Sequence, residues 1–284
     1  MTINKNTRFL IVGLGLLGGS YARGLTEKGY YVEAITKNQQ DCNYAIEHEI
    51  VKKCTTQVDA EMIKSADVII FALYPDIFIK WIEENGKLIK PGTVITDVTG
   101  VKGCIVDKIQ NMLPPLVEFI SAHPMAGKEV YGIENSDERI FYGANYVVVP
   151  TERNTDEGIE ACKRIGEILG FGRISEISPE NHDEMIGFVS QLTHCIAVSL
   201  MNCYEHERLE RYTGDSFRDL TRIAKINETM WSELFLLNKD SLIAQMELFR
   251  KHFDDLYTYL KDGDREGMME MMRISTERRI KFDK

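Results

Sequence analysis

Two groups of residues in this sequence have types and spacing suited to chemistry. Gly13-Leu14-Gly15-Leu16-Leu17-Gly18 directly follows the apolar run Phe9-Leu10-Ile11-Val12 and opens a helical stretch reaching about Lys28. Glycines at this spacing between a strand and a helix make a cradle for a diphosphate. Gly13 permits the tight turn, Gly15 lets the backbone approach the phosphates, and Gly18 allows helix and strand to pack closely. Backbone N–H groups at the helix start, Leu14, Leu16 and Leu17 included, then face the anion. The second group centres on His123, which follows the apolar run Phe119-Ile120-Ser121-Ala122. Open α/β folds bind ligands at the carboxyl ends of their strands. A neutral imidazole there can take a proton from a substrate hydroxyl. The plain alternatives are a structural glycine turn and a structural loop histidine.

The type of dinucleotide is read at the end of the second strand, where a carboxylate would hold a ribose 2′-hydroxyl. The residues there are Ile35-Thr36-Lys37-Asn38, with no acid. A hydroxyl and a lysine suit a 2′-phosphate better, so Thr36 and Lys37 favour NADP over NAD. The six cysteines (42, 54, 104, 162, 195 and 203) are scattered and form no CxxC pair. Neither a disulfide framework nor a metal site is therefore expected.

The elements that position these groups alternate along the first half. Apolar strand runs occur at Phe9–Val12, Tyr31–Ile35, Asp67–Ala72, Val94–Asp97, Phe119–Ala122 and Tyr146–Val149, with helical segments between them. Such alternation predicts an α/β unit of the Rossmann type, a doubly wound parallel sheet covered on both faces. A helix from about Asp156 to Leu169 and a short strand near Arg173–Ile177 complete it. Ser178-Pro179-Glu180 is a helix start, with serine as cap and proline in the first turn. Beyond it strand signals almost vanish. His182, Met185, Ile186, Val189, Leu192, Ile196 and Leu200 recur at helical spacing, in a helix apolar nearly all round and therefore expected to be buried. The division falls between 1–177, the dinucleotide-binding domain, and 178–284, an all-α domain. Leu242, Met246, Phe249, Phe253, Leu256 and Leu260 resemble a coiled-coil seam. The seam reads either as a helix pair within the chain or as a subunit contact, and a homodimer through this domain is the natural hypothesis.

The chain's 284 residues suffice for two domains. A net charge of −10 argues against nucleic acid as a partner. No apolar run approaches the ~20 residues of a membrane span, and the polar stretch Met1 to Arg8 lacks the apolar core of a secretion signal. The cytoplasm is the expected compartment.

Three further segments, taken with the glycine loop, make the chain resemble the prephenate/arogenate dehydrogenase family. They are His123-Pro124-Met125-Ala126-Gly127-Lys128-Glu129, Ser190-Gln191-Leu192-Thr193-His194, and Phe217-Arg218-Asp219-Leu220-Thr221-Arg222-Ile223-Ala224 followed by Met230-Trp231. Their order and spacing match over essentially the whole chain, and the length fits the core enzyme without a regulatory module or a fused mutase. The resemblance implies oxidative decarboxylation of prephenate or arogenate, with hydride passing to NAD(P)+ and no metal. His123 would be the catalytic base and Arg222 would bind the ring carboxylate. Asp219, Glu129, Trp231 and His194 would line the site, and Asp183 would reach the neighbouring site across a dimer. The bland reading of Arg222 is a helix-surface ion pair with Asp219. One departure concerns the serine that bonds the substrate hydroxyl in relatives. Here Asp97-Val98-Thr99-Gly100-Val101-Lys102 places Gly100 at that position. Thr99 is the candidate replacement, and Lys102 either tunes the pocket or stands in solvent.

Two rival readings fit the residues less well. Two-domain dehydrogenases acting on β-hydroxyacids or imines place a catalytic lysine on the first helix of the second domain, but Pro179 to Glu205 contains no lysine. A cofactor-binding regulator without catalysis would not need His123, Arg222 and Trp231 together.

Overall fold

The computed structural model describes residues 2–128 and 130–283. The strands are β1 (Arg8–Val12), β2 (Tyr31–Ile35), β3 (Lys53–Thr55), β4 (Val68–Phe71), β5 (Val94–Asp97), β6 (Glu118–Phe119), β7 (Ser121–Met125), β8 (Asn145–Val149) and β9 (Arg173–Glu176). The helices of the first half are α1 (Leu16–Glu27), α2 (Gln39–Glu47), α3 (Ala60–Ser65), α4 (Pro75–Asn85), α5 (Val106–Met112) and α6 (Asp156–Leu169). Those of the second half are α7 (Pro179–Ile186), α8 (Thr193–Cys203), α9 (Asp215–Thr221), α10 (Glu228–Leu237), α11 (Lys239–Asp262) and α12 (Arg265–Arg279).

Among the described residues, six strands form one parallel sheet in the order β3-β2-β1-β4-β5-β6. The order reverses direction at β1, the crevice where doubly wound folds bind dinucleotides. Buried apolar side chains lie on both faces of this sheet, which is why its central strands read as continuous apolar runs. The register pairs Val12 with both Ile35 and Phe71, and Phe71 with Asp97. The glycine loop, Thr36 and the loop after Asp97 therefore leave the sheet along one edge.

The expected fifth strand divides in two. Phe119 is its last residue in the parallel sheet, and β7 then joins a second sheet, antiparallel to β8, with β9 parallel to β8. His123 thus lies within a strand, opposite Val147, and not in a loop. The polar strand β3 carries no apolar run and was not foreseen.

A buried ion pair binds the two sheets. The Lys102 ammonium lies 2.9 Å from Asp97 Oδ2, with both side chains fully buried. It also donates to the Ala122 carbonyl at 2.7 Å. Asp97 Oδ1 accepts from Ser121 Oγ at 2.6 Å and from the Ala122 N–H at 3.1 Å. The end of β5 is thereby fastened to the start of β7, one residue before His123.

The second half departs from expectation in its burial. α7 and α8 form one continuous helix through a π-helical segment, Gly187–Leu192. Ser178 caps it, accepting from the Asn181 N–H at 3.3 Å. His182, Asp183, Ile186, Gln191, Leu192 and Ala197 are buried, but Met185 and Phe188 are each 52% exposed and Val189 and Met201 are exposed as well. By length and composition this helix, residues 179–203, could cross a membrane, contrary to the sequence expectation. Its buried polar residues are nevertheless hydrogen-bonded within the protein: Asp183 to the loop after β5, and Gln191 to Asn238 and the Leu234 carbonyl. The α11 seam is only partly covered within the chain: α11 packs against the π-helical segment and α12, Leu242 is buried and Leu256 half-buried, but Met246, Phe249, Phe253 and Leu260 are exposed.

Replacing Lys102 with methionine strands Asp97 in the interior without its cation. Breaking a buried pair in this way costs about 3–5 kcal/mol. A urea midpoint that stays at the wild-type value would refute the pair's structural role.

Candidate active site

The glycine loop has the geometry its spacing predicts. Gly13 has φ +98°, and a Cβ there would meet the Ala72 carbonyl oxygen at 2.4 Å. A Cβ on Gly18 would meet the Gly13 carbonyl oxygen at 1.9 Å. Gly15 differs, because a Cβ there would meet nothing within 4 Å, and it caps α1 without a side-chain bond. The cradle is thus closed on the protein side and open at the helix N-terminus, which fits a dinucleotide diphosphate. Leu14 is buried, while Leu16 and Leu17 are half-buried. At the far end of the crevice Thr36 is buried, with its N–H on the Thr55 carbonyl at 3.1 Å, and Lys37 is exposed.

His123 enters the space between the two domains. Its Nδ1 lies 3.0 Å from Nε2 of His182 on α7, and Nδ1 of His182 lies 2.8 Å from Asp183 Oδ1. Burial, then the His182 and Lys102 charges, hold the His123 imidazole well below its ordinary range, so the ring is neutral. Burial also lowers His182, against the opposing bond to Asp183. Gly100 faces the same ring. A Cβ built there would lie 4.0 Å from His123 Cε1, with Leu234 of α10 at 3.6 Å. A side chain at position 100 would therefore fit without a clash.

Several expected site residues are employed differently. The Thr99 hydroxyl is enclosed by the Asp97 carboxylate, the Val101 carbonyl and the Lys102 ammonium, so its hydrogen-bonding capacity is taken up within the protein. Lys102 is not in solvent, because its ammonium is taken up by Asp97 and Ala122. Its charge also bears on the two histidines, helping to lower both. Asp183, expected to reach across a dimer, is buried and bonded to its own chain. Its Oδ1 accepts from the Lys102 N–H at 2.8 Å as well as from His182, and its Oδ2 accepts from the Gly103 N–H at 2.8 Å. Both carboxylate oxygens serve the chain's own site.

The remaining residues gather on the helical side. His194 Nδ1 donates to the Ser190 carbonyl at 2.8 Å, and its ring stacks on Trp231 at 3.7 Å between centroids and 30° between planes. Arg222 begins a short 3-10 turn that packs against α8, the helix carrying His194. Asp219 is exposed on α9, and an ion pair three residues apart on that helix joins Arg218 to Asp215. Glu129 lies outside the described residues. His182 was passed over in the sequence because it fits an apolar helical stripe. The signal that could have found it is the adjacent Asp183, which a buried imidazole needs as a partner. Among the described residues no group of three or more His, Cys, Asp or Glu is placed to hold a metal ion.

Comparison with known proteins adds independent findings. The family domain described as "Prephenate dehydrogenase, nucleotide-binding domain" matches residues 21–173, and "Prephenate dehydrogenase, dimerization domain" matches residues 178–274. A prephenate dehydrogenase of Bacillus subtilis is 27% identical over 278 residues, covering 95% of this chain and 74% of that protein. The crystal structure of the A. aeolicus prephenate dehydrogenase, in complex with hydroxyphenyl propionate and NAD+, aligns with a TM-score of 0.88 at 27% identity, covering 99% of this chain and 100% of the other. The Synechocystis arogenate dehydrogenase structure shares the fold, with a TM-score of 0.85 at 24% identity over 97% of this chain and 100% of the other. A glycine cradle, a neutral strand histidine facing an α-helical domain, and two domain matches that together span nearly the whole chain lead to one conclusion: this chain belongs to the prephenate dehydrogenase family.

Proposed function

We infer that the chain catalyses the oxidative decarboxylation of prephenate, or of its amino analogue arogenate, with a nicotinamide dinucleotide as oxidant. The observation that carries this reading is the neutral His123, held by His182 in the space between the glycine-loop domain and the helical domain. A bound nicotinamide supplies the hydride acceptor for the carbon bearing the substrate hydroxyl. His123 takes the proton of that hydroxyl, a base role that its lowered proton affinity keeps open at neutral pH. Loss of the ring carboxylate as CO2 aromatises the ring. The phenolic oxygen recovers the proton, so the histidine is reset within the turnover. Arg222 offers a planar guanidinium to the ring carboxylate, and His194 and Trp231 form a stacked wall beside it. By resemblance Asp219 belongs with Arg222 to a polar network at the mouth of the site, and Glu129 matches a position lining it. The substrate hydroxyl has no protein hydroxyl at Gly100 or Thr99 to hold it, so His123 is its principal partner.

For the cofactor, Thr36 and Lys37 favour NADP, since an exposed lysine at the end of β2 meets a 2′-phosphate better than a neutral ribose. The division between the domains is placed at Ile177–Ser178. A homodimer forms through the exposed apolar faces of α7–α8 and α11. This reading is supported by the match to a dimerization domain and by the exposure of Met185, Phe188 and Phe253. Six free cysteines suit a reducing compartment such as the cytoplasm.

Purified protein assayed with prephenate and arogenate against both cofactors tests the whole reading. The expected result is nicotinamide reduction, with a higher kcat/KM for NADP+ than for NAD+; the reverse preference would overturn the Lys37 assignment. His123→Asn is expected to lower kcat by ~10²–10⁴ while leaving cofactor affinity intact, and undiminished turnover would remove its role as base. Arg222→Gln is expected to raise the KM by about tenfold or more, the scale of one charge-assisted hydrogen bond. An unaltered KM would assign the carboxylate to another cation.

A further inference from the structure

The hydrogen bonds around His123 fix more than its position. Asp183 carries two backbone N–H donors and one imidazole, so it is an acceptor throughout. The His182 nitrogen facing it, Nδ1, must then carry hydrogen, and Nε2 of His182 is left with a lone pair. The contact of 3.0 Å between His182 Nε2 and His123 Nδ1 is satisfied only if His123 donates. His123 is therefore the Nδ1–H tautomer, with the lone pair on Nε2. Each proton along Asp183, His182 and His123 is assigned by the one before it.

This inference rests on the base role assigned to His123 above. We propose that His182 is the second imidazole of a two-histidine relay: as His123 Nε2 takes the substrate proton, His123 Nδ1 passes its own to His182 Nε2, and the positive charge comes to rest beside Asp183. The substrate O–H bond breaks and an N–H bond forms at His123 Nε2. The His123 Nδ1–H bond breaks and an N–H bond forms at His182 Nε2. The electron pair of the O–H bond stays with the substrate oxygen. Both transfers reverse when the phenolic oxygen is protonated, so no proton is gained or lost over the turnover.

The surroundings favour that resting place. The charged and titratable groups facing His182 are His123 from β7, Asp183 on its own helix, and Lys102 and Asp97 from the end of β5 and the loop after it. Asp183 touches His182 directly and favours the cation there; among the described residues no carboxylate is seen to bond His123, which feels His182 and Lys102 as opposing charges. Burial lowers both imidazoles, but His123 is driven further down. The acceptor is a second imidazole, so the transfer joins groups of matched intrinsic basicity, unlike the carboxylate of a serine-protease triad, which is not protonated. His182 acts through His123 and is a positioning residue.

His182→Gln tests the relay, because its amide oxygen can accept from His123 Nδ1 and preserve the tautomer but cannot receive the proton. The expected result is a kcat lowered about 10- to 100-fold, a KM close to wild type, and an acid limb of the kcat profile moved to lower pH. That shift follows because His123, the imidazole harder to protonate, becomes the sole titrating one. A merely structural role would lower the plateau without moving the limb, and that result overturns the proposal. A proton inventory of wild-type kcat/KM in H2O–D2O mixtures supplies a test that needs no variant: a bowed, two-proton curve supports the relay and a linear one overturns it. If His123→Asn loses turnover while His182→Gln matches wild type in rate and pH profile, the relay fails and the base assignment stands. If His123→Asn keeps its turnover, both fall.

Discussion

The carboxylate of Asp97 is the point on which the site's geometry depends. It stands at the end of β5 and gathers the Thr99 backbone, the Lys102 ammonium, the Ser121 hydroxyl and the Ala122 N–H. A buried charge is tolerated only when its hydrogen-bonding capacity is filled. Filling it forces the loop after β5 to fold back and the first residues of β7 to lie against it. His123 is the next residue along β7, and Gly100 lies within the folded loop. The placement of His123 and the open position at Gly100 are thus set by the same carboxylate, although neither touches it.

A second carboxylate, Asp183, does the corresponding work from the helical side. It accepts the Lys102 and Gly103 N–H groups and so docks α7 on the same loop. The two domains meet through this contact, the His123–His182 bond and the approach of Leu234 to Gly100. The π-helical segment after α7 belongs to this arrangement. Within it Gln191 bonds Asn238, which in turn holds the Asp183 carbonyl at 2.9 Å. An extra residue in a helical turn re-aims the side chains on either side of it and is often found near functional sites. Here His182 faces the sheet domain on one side of the segment, and His194 stacks on Trp231 on the other.

The apolar faces of the helical domain are a separate matter from the site. Residues that look like core in the sequence stand in solvent along α7, α8 and α11, because one chain lacks a second layer to cover them. Exposed apolar area of this extent on paired helices is what a dimerization domain presents before assembly.

Much of the protein was legible in the residues alone. The glycine spacing, the apolar strand runs and the cap at Ser178 are local features, and local sterics and periodicity determine them. They gave the cradle, the parallel sheet and the start of the helical domain, and His123 could be singled out by its place after an apolar run. Tertiary structure decided what depends on long-range pairing. Residues Phe119 to Ala122 read as one strand, yet they divide between two sheets, because Asp97 captures Ser121 and Ala122. Thr99 and Lys102 read as possible substrate contacts, yet their polar atoms serve the interior. His182 read as one more position on an apolar stripe, yet its imidazole is the hydrogen-bond partner of His123. The period of a helix tells which residues share a face, but only the chain packed against that face determines whether a histidine there meets a leucine or another histidine.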